Sequence, residues 1–141
     1  MTGWVSPQLR RRIVQRGGYR CSYRLTPQGL SGARLELDHI IPRTAGGQTI
    51  EENLCLACVS CNRCKGTQTH ARDPETGRRV RLFNPREQPW KRHFTWGTNG
   101  REIIGITPCG RATVQALRLN HAEIILARRR WASVGWWPPL E

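Results

Sequence analysis

The sequence is short of several residues that a large core or a membrane segment would need. Its 141 residues include one methionine, two phenylalanines and two tyrosines. Lysine occurs only as Lys65 and Lys91, and aspartate and glutamate together number ten. No hydrophobic run approaches the roughly 20 residues that cross a bilayer, which excludes a transmembrane helix and leaves no reason to expect a membrane partner. The first residues, MTGWVSPQLRRR, hold no apolar stretch ahead of a cleavage site, so no secretory leader is expected. The length and a hydrophobic fraction of 38% suit one modest core, and a single domain over residues 1–141 is the expectation.

Arginine is what the chain has in excess. It supplies 21 of the 23 basic residues, and the net charge is +13. A surplus of that size points to a polyanionic partner, of which nucleic acid is the commonest. Arginine enrichment from base composition would give the same arithmetic, so charge names a partner class and not a reaction. Of the six cysteines, four stand at Cys55, Cys58, Cys61 and Cys64, each two residues from the next. In the reducing, cytoplasmic setting expected without a leader, such thiols read as metal ligands before disulfides.

Local patterns give a coarse outline. Ser6-Pro7 opens a helix with Leu9 and Ile13 on one face and Arg10, Arg11, Arg12 and Arg16 outward; Gly17-Gly18 ends it. That basic face is either solvated or a DNA contact. Leu35 to Asp38 alternates as a half-buried strand, stopped by Pro42. The thiols after Asn53 are spaced to open a helix that Gly66 helps to end. Asp73 to Gly77 reads as a turn before a strand near Val80 to Phe83. Gly97 to Gly100 reads as the turn of a β-hairpin. Val114, Leu117, Ile124 and Ile125 have helical spacing, and Asn120 with Glu123 matches a capping box that divides the tail into two helices. His70, His93 and His121 match no motif and are expected to be structural. Trp90, Phe94, Trp96, Trp131, Trp136 and Trp137 are expected to pack and not to stack on bases. Asn84 to Arg86 reads as a turn.

The chemistry gathers between Leu35 and Gly66. Phosphodiester cleavage needs a base for water, a cation on the phosphate and groups that hold both still. In a strand Asp38 and His39 point to opposite faces, which suits a division of labour. Asp38 can bind a hard cation such as Mg²⁺ while His39 takes a proton.

The segment LELDHIIPRTAGGQTIEENLCLACVSCNRCKG resembles the HNH endonucleases, in the branch ending Cys-x-x-Cys-Asn-x-x-Lys. The likeness extends from about Arg10 to Gly66. It implies an α+β chain with a small ββα-metal (HNH, or His-Me finger) core at about residues 10–70. A basic N-terminal helix, an extra β-hairpin and a helical tail over 71–141 would pack on it. The activity implied is metal-dependent hydrolysis of phosphodiester bonds, with double-stranded DNA as substrate and one divalent ion such as Mg²⁺. By position, His39 would be the general base, Asp38 and Asn62 the ligands of the catalytic ion, and Asn53 a brace that orients His39. Lys65 would lie near the DNA backbone, beside Arg10, Arg11, Arg12 and Arg16.

One departure concerns the family's structural zinc, built from two Cys-x-x-Cys knuckles. The first knuckle here is Cys21-Ser22-Tyr23-Arg24, and arginine has no lone pair for a metal. Cys21, Cys58 and Cys61 remain. Either Cys55, Cys64 or water completes the tetrahedron, or the zinc is weak or absent and Arg24 makes hydrogen bonds in its place. Two other classes fit part of the pattern. A non-catalytic zinc-ribbon DNA-binding module would explain thiols and charge but leave Asp38, His39 and Asn62 idle. An iron–sulfur protein would use Cys55 to Cys64, although that run lacks the spacing and proline of the bacterial ferredoxin motif.

Overall fold

The computed structural model describes residues 4–139. Ser6 Oγ accepts from the Leu9 amide at 3.1 Å and so caps helix α1 (Pro7–Arg16), with Pro7 where no donor is needed. Ile13, its one buried residue, packs on Leu54 and Leu56, with Leu9, Leu35 and Leu37 around them. After a one-turn helix α2 (Gln28–Ser31), strand β1 (Leu35–His39) pairs antiparallel with β2 (Leu54–Cys58). Their register sets Leu35 opposite Cys58 and His39 opposite Leu54. All five residues of β2 are buried, and helix α3 (Val59–Lys65) follows directly and packs on both strands.

The chain divides into two compact units where the sequence suggested one domain with an extension. The first runs through Thr69 and also takes in Asn84–Glu87. Arg86 holds that returning segment: its Nε donates to the carbonyls of Leu54 at 2.8 Å and Glu51 at 3.3 Å.

The second unit comprises His70–Phe83 and the chain from Gln88 onward. It contains β3 (His70–Arg72) paired with β4 (Arg79–Arg81), helix α4 (Trp90–His93), and β5 (Phe94–Trp96) paired with β6 (Ile103–Gly105). Helices α5 (Pro108–Ala116) and α6 (Ala122–Ser133) follow, and α5 packs on β3, β4 and β6. Arg111 of α5 grips the buried Asp73 with two bonds of 2.9 and 3.0 Å, which holds that carboxyl well below the usual carboxylate range. The hairpin between β5 and β6 turns at Asn99 and Gly100, both at positive φ, as an Asn-Gly turn requires.

Several expectations shift by a residue or two. The strand read at Val80 to Phe83 is β4 at Arg79–Arg81, because Leu82 and Phe83 leave the ladder for the core. The cap of α6 is His121, whose side chain accepts from the Ile124 amide, and not Asn120. Asn120 is already committed to Ile103, bonding its amide and carbonyl at 2.8 Å each. Arg128, outwardly one more tail arginine, is fully buried and donates to the carbonyls of Arg101 and Leu119 and to Asn120 Oδ1. Phe94, Trp90, Trp96, Trp137 and Trp131 pack ring against ring in that order, with successive centroids 5.0 to 5.7 Å apart. Trp136 is the exception and is exposed.

Candidate functional site

Strand alternation puts Glu36 and Asp38 on one face of β1, with Leu35, Leu37 and His39 on the other. Asp38 is buried. Its Oδ2 accepts from the Tyr23 hydroxyl at 2.8 Å and its Oδ1 from Lys65 Nζ at 3.2 Å. Burial, with Cys55 and Asp38 beside it, pushes the Tyr23 hydroxyl well above its ordinary pKa, so Tyr23 stays a donor. Lys65 also donates to the His39 carbonyl at 3.0 Å. This corrects the expectation that Lys65 lies near the DNA backbone. Its side chain is 2% exposed, because the last turn of α3 points inward and the ammonium serves as counter-ion to Asp38.

His39 is half-buried, and its Nε2 lies 2.9 Å from Thr49 Oγ1. Burial lowers its pKa below 6.5; Arg43 and Lys65 lower it further, while Asp38 opposes them. Asn53 spans the loop between the strands. Its Oδ1 accepts from the Ile41 amide at 2.8 Å, and its Nδ2 donates to the carbonyls of Ile41 and Gln48 at 3.0 and 2.8 Å. The loop can close this tightly because residue 47 is glycine: a Cβ there would collide with the Ile41 carbonyl and crowd Asn53 Nδ2.

Asn62, in the first turn of α3, donates from Nδ2 to Glu36 Oε1 at 2.9 Å. Asp38, His39 and Asn62 line one cavity of about 210 Å³, together with Pro42, Arg43 and Thr44. Glu36, His39 and Asn62 also line a second of about 340 Å³, walled by Arg10 and Arg34. The four helix arginines therefore part company. Arg10 borders the cavity and Arg11 is exposed, whereas Arg12 and Arg16 both pair with Glu51 at 3.0 Å.

Behind the hairpin, the sulfurs of Cys21, Cys58 and Cys61 lie within 4.8 Å of one another, all in buried residues. Thiol hydrogen bonds from Cys21 and Cys61 stabilise a thiolate on Cys58, with the charge of Arg24 adding to them, so the Cys58 pKa falls. Burial raises that of Cys21 and Cys61. Arg24 is buried beside them: its amide faces Cys21 Sγ at 3.5 Å and its guanidinium donates to Ser60 Oγ at 3.0 Å. Neither cysteine offered as a fourth ligand joins this group. Cys55 faces Tyr23 and Asp38, and Cys64 lies elsewhere on α3. The four-thiol run thus fails to converge on one point, which removes the basis for an iron–sulfur cluster. The three converging sulfurs could hold a metal ion, but with Arg24 in the fourth position only water is left to complete a four-coordinate zinc site.

Sequence reasoning missed Glu36, Tyr23 and Thr49. Glu36 was signalled by the same two-residue alternation that placed Asp38. Thr49 lies ten residues from His39 across an irregular loop, and no periodicity predicts that contact.

The comparisons with known proteins fall on this unit. The HNH endonuclease family model matches residues 20–68. Over 59 residues the chain is 41% identical to the CRISPR-associated endonuclease Cas9 of Corynebacterium diphtheriae, an alignment covering 41% of this chain and 5% of that protein. No solved structure matches. The resemblance to the HNH endonucleases is thereby shown for residues 20–68. Among the described residues no helix is long and apolar enough to cross a membrane.

Proposed function

We propose that the chain is a metal-dependent endonuclease that hydrolyses phosphodiester bonds in DNA, with β1, β2 and α3 as its ββα-metal core. The observation that carries this reading is that Asp38, His39 and Asn62 line one cavity. The family match over residues 20–68 supports the reaction class, and the net charge of +13 suits a polyanionic substrate. Asp38 and Asn62 would hold a divalent cation such as Mg²⁺. Hard oxygen donors suit it: Asp38 Oδ1 keeps a lone pair beyond the one given to Lys65, whereas Oδ2 already accepts from both the Tyr23 hydroxyl and the Cys55 thiol. When bound, the ion supplies positive charge to the scissile phosphate and the leaving oxygen.

His39 takes the proton of the attacking water at Nδ1. In the tautomer this role requires, Nε2–H donates to Thr49 Oγ1, 2.9 Å away, so that the lone pair stands on the other nitrogen, and the lowered pKa keeps the ring neutral at pH 7. Asn53 holds the loop that carries Thr49, and so acts on His39 at one remove. Glu36 orients Asn62: by accepting from Nδ2 it leaves the amide oxygen for the ion. Arg10, which borders the second cavity, would meet a phosphate beside the scissile one.

The test is incubation with supercoiled plasmid under Mg²⁺, Mn²⁺, Ni²⁺ or Zn²⁺, with and without EDTA. Nicked or linear product with at least one cation, and none in EDTA, is expected. Cleavage that survives excess chelator, or no cleavage with any cation, overturns the proposal. Thr49→Val should lower kcat about tenfold by freeing the imidazole to change tautomer, with DNA affinity unchanged. A kcat equal to wild type would show that Thr49 does not set the tautomer.

The thiol cluster makes a separate prediction. Structural zinc contributes directly to folding, and a site short of one ligand holds it loosely or not at all. Arg24→Cys should bind one zinc tightly and melt at least about 5 °C above wild type when zinc is present. In chelator it should melt below wild type, because the buried Cys58 thiolate has lost its cation. Wild-type protein that keeps one zinc per chain through prolonged chelation would contradict this.

A further inference from the structure

The hairpin of β3 and β4 presents an unusual face. Its register places His70 opposite Arg81 and Arg72 opposite Arg79, so these four side chains share one side of the ribbon. Arg72, Arg79 and Arg81 are exposed, and Arg78 precedes them in the turn. Like charges directly opposite one another destabilise an antiparallel pair, and here the arginine pair lies at the turn end of a ladder only three residues long. The acids that could neutralise it are turned away. Asp73 is gripped by Arg111, and Glu75 lies 3.3 Å from the same guanidinium. Among the described residues neither Arg79 nor Arg81 has an ionic partner.

The ribbon is nevertheless firmly held. Ala71 and Val80, the pair on its other face, are half-buried where α5 packs on both strands. The Asp73–Arg111 pair bolts the turn to that helix. Thr76 Oγ1 donates to Asp73 Oδ2 at 2.8 Å, and Arg72 donates to the Gly77 carbonyl at 2.9 Å. The self-repelling face is thus built on a fixed platform, with no countercharge of its own.

We propose that the β3–β4 ribbon is a docking surface for duplex DNA, with Arg79 and Arg81 binding phosphates on one strand. Residues two apart in a strand are separated by about 7 Å, enough for Arg79 and Arg81 to meet different phosphates of one strand, whose charges recur every ~3.4 Å of helix axis. A two-stranded ribbon also has the width a duplex groove admits. This surface lies in the second unit, outside the residues matched by the family model, and its role requires no cleavage.

The test measures binding of a short duplex in EDTA, so that failure of the nuclease reading leaves the result readable. It compares Arg79→Gln/Arg81→Gln with Arg129→Gln/Arg130→Gln, two exposed arginines of α6 whose loss changes the net charge equally. Each phosphate contact adds about 0.9 to the slope of log affinity against log salt, so the ribbon variant should lose about 1.8 from that slope and about thirty-fold in affinity at 0.15 M salt. The α6 variant should lose several-fold less, and neither variant should melt below wild type, the ribbon variant being relieved of the Arg72–Arg79 repulsion. Equal losses in the two variants would show that total charge and not the ribbon matters. No loss in the ribbon variant, or a loss seen with single-stranded RNA but not with duplex DNA, would also overturn the proposal.

Discussion

Replacing His39 with alanine is expected to lower the rate of DNA cleavage by about 10²- to 10⁴-fold, the range of a single positioned base, while duplex affinity stays within about twofold of wild type. The split follows from where the imidazole acts. It carries little charge at neutral pH, so binding scarcely feels its loss, whereas proton removal from water occurs only on the way to the transition state. Wild-type activity should also depend on pH in one sense. Burial and the nearby cations lower the His39 pKa, so the base form is lost only as pH falls below 6.5. The acid limb of the rate profile should therefore lie below that value and vanish from what activity His39→Ala retains. A variant that cleaves at the wild-type rate, or an acid limb above 6.5, would remove His39 from the role of base.

The largest effect on stability is expected at Lys65. Lys65→Met leaves the buried Asp38 carboxylate facing only neutral donors, the Tyr23 hydroxyl and the Cys55 thiol, and breaking a buried pair from one side costs about 3–5 kcal/mol. Adding Asp38→Asn to that variant removes the stranded charge and should return much of the loss. Urea unfolding of the wild type, the two single variants and the double variant completes the cycle. If Lys65→Met unfolds at the wild-type midpoint and instead weakens DNA binding, the ammonium works at the surface and not inside.

Local chemistry made much of the site visible in the sequence. The Ser6-Pro7 cap, the alternation through β1 and the spacing of Cys58, Cys61 and Asn62 depend on neighbours within a few residues, and each is found where expected. Lys65 was misplaced because a lysine at a helix end is ordinarily solvated, and only the long-range approach of Asp38 turns it inward. Asn120 was misread for a similar reason. Its type and spacing suit a cap, but β6 competes for the same amide and wins with two bonds against one. The β3 strand, His70-Ala71-Arg72, carries no β-branched or large apolar residue to announce it, whereas Val80, Phe94 and Ile103 mark the other short strands.

The return of Asn84–Glu87 to the first unit bears on how portable that unit is. The family match ends at residue 68, and a natural place to cut the chain would be just beyond it. Such a fragment would keep His39, Asp38 and Asn62 but forfeit Arg86, the clamp on the carbonyls of Glu51 and Leu54. Leu54 is the residue paired with His39, so the missing clamp would be felt directly across the ladder from the proposed base. The sequence that resembles the family is therefore shorter than the piece that can be transplanted: an excisable module from this chain would have to carry the Asn84–Glu87 strap with it, by a linker or by circular permutation.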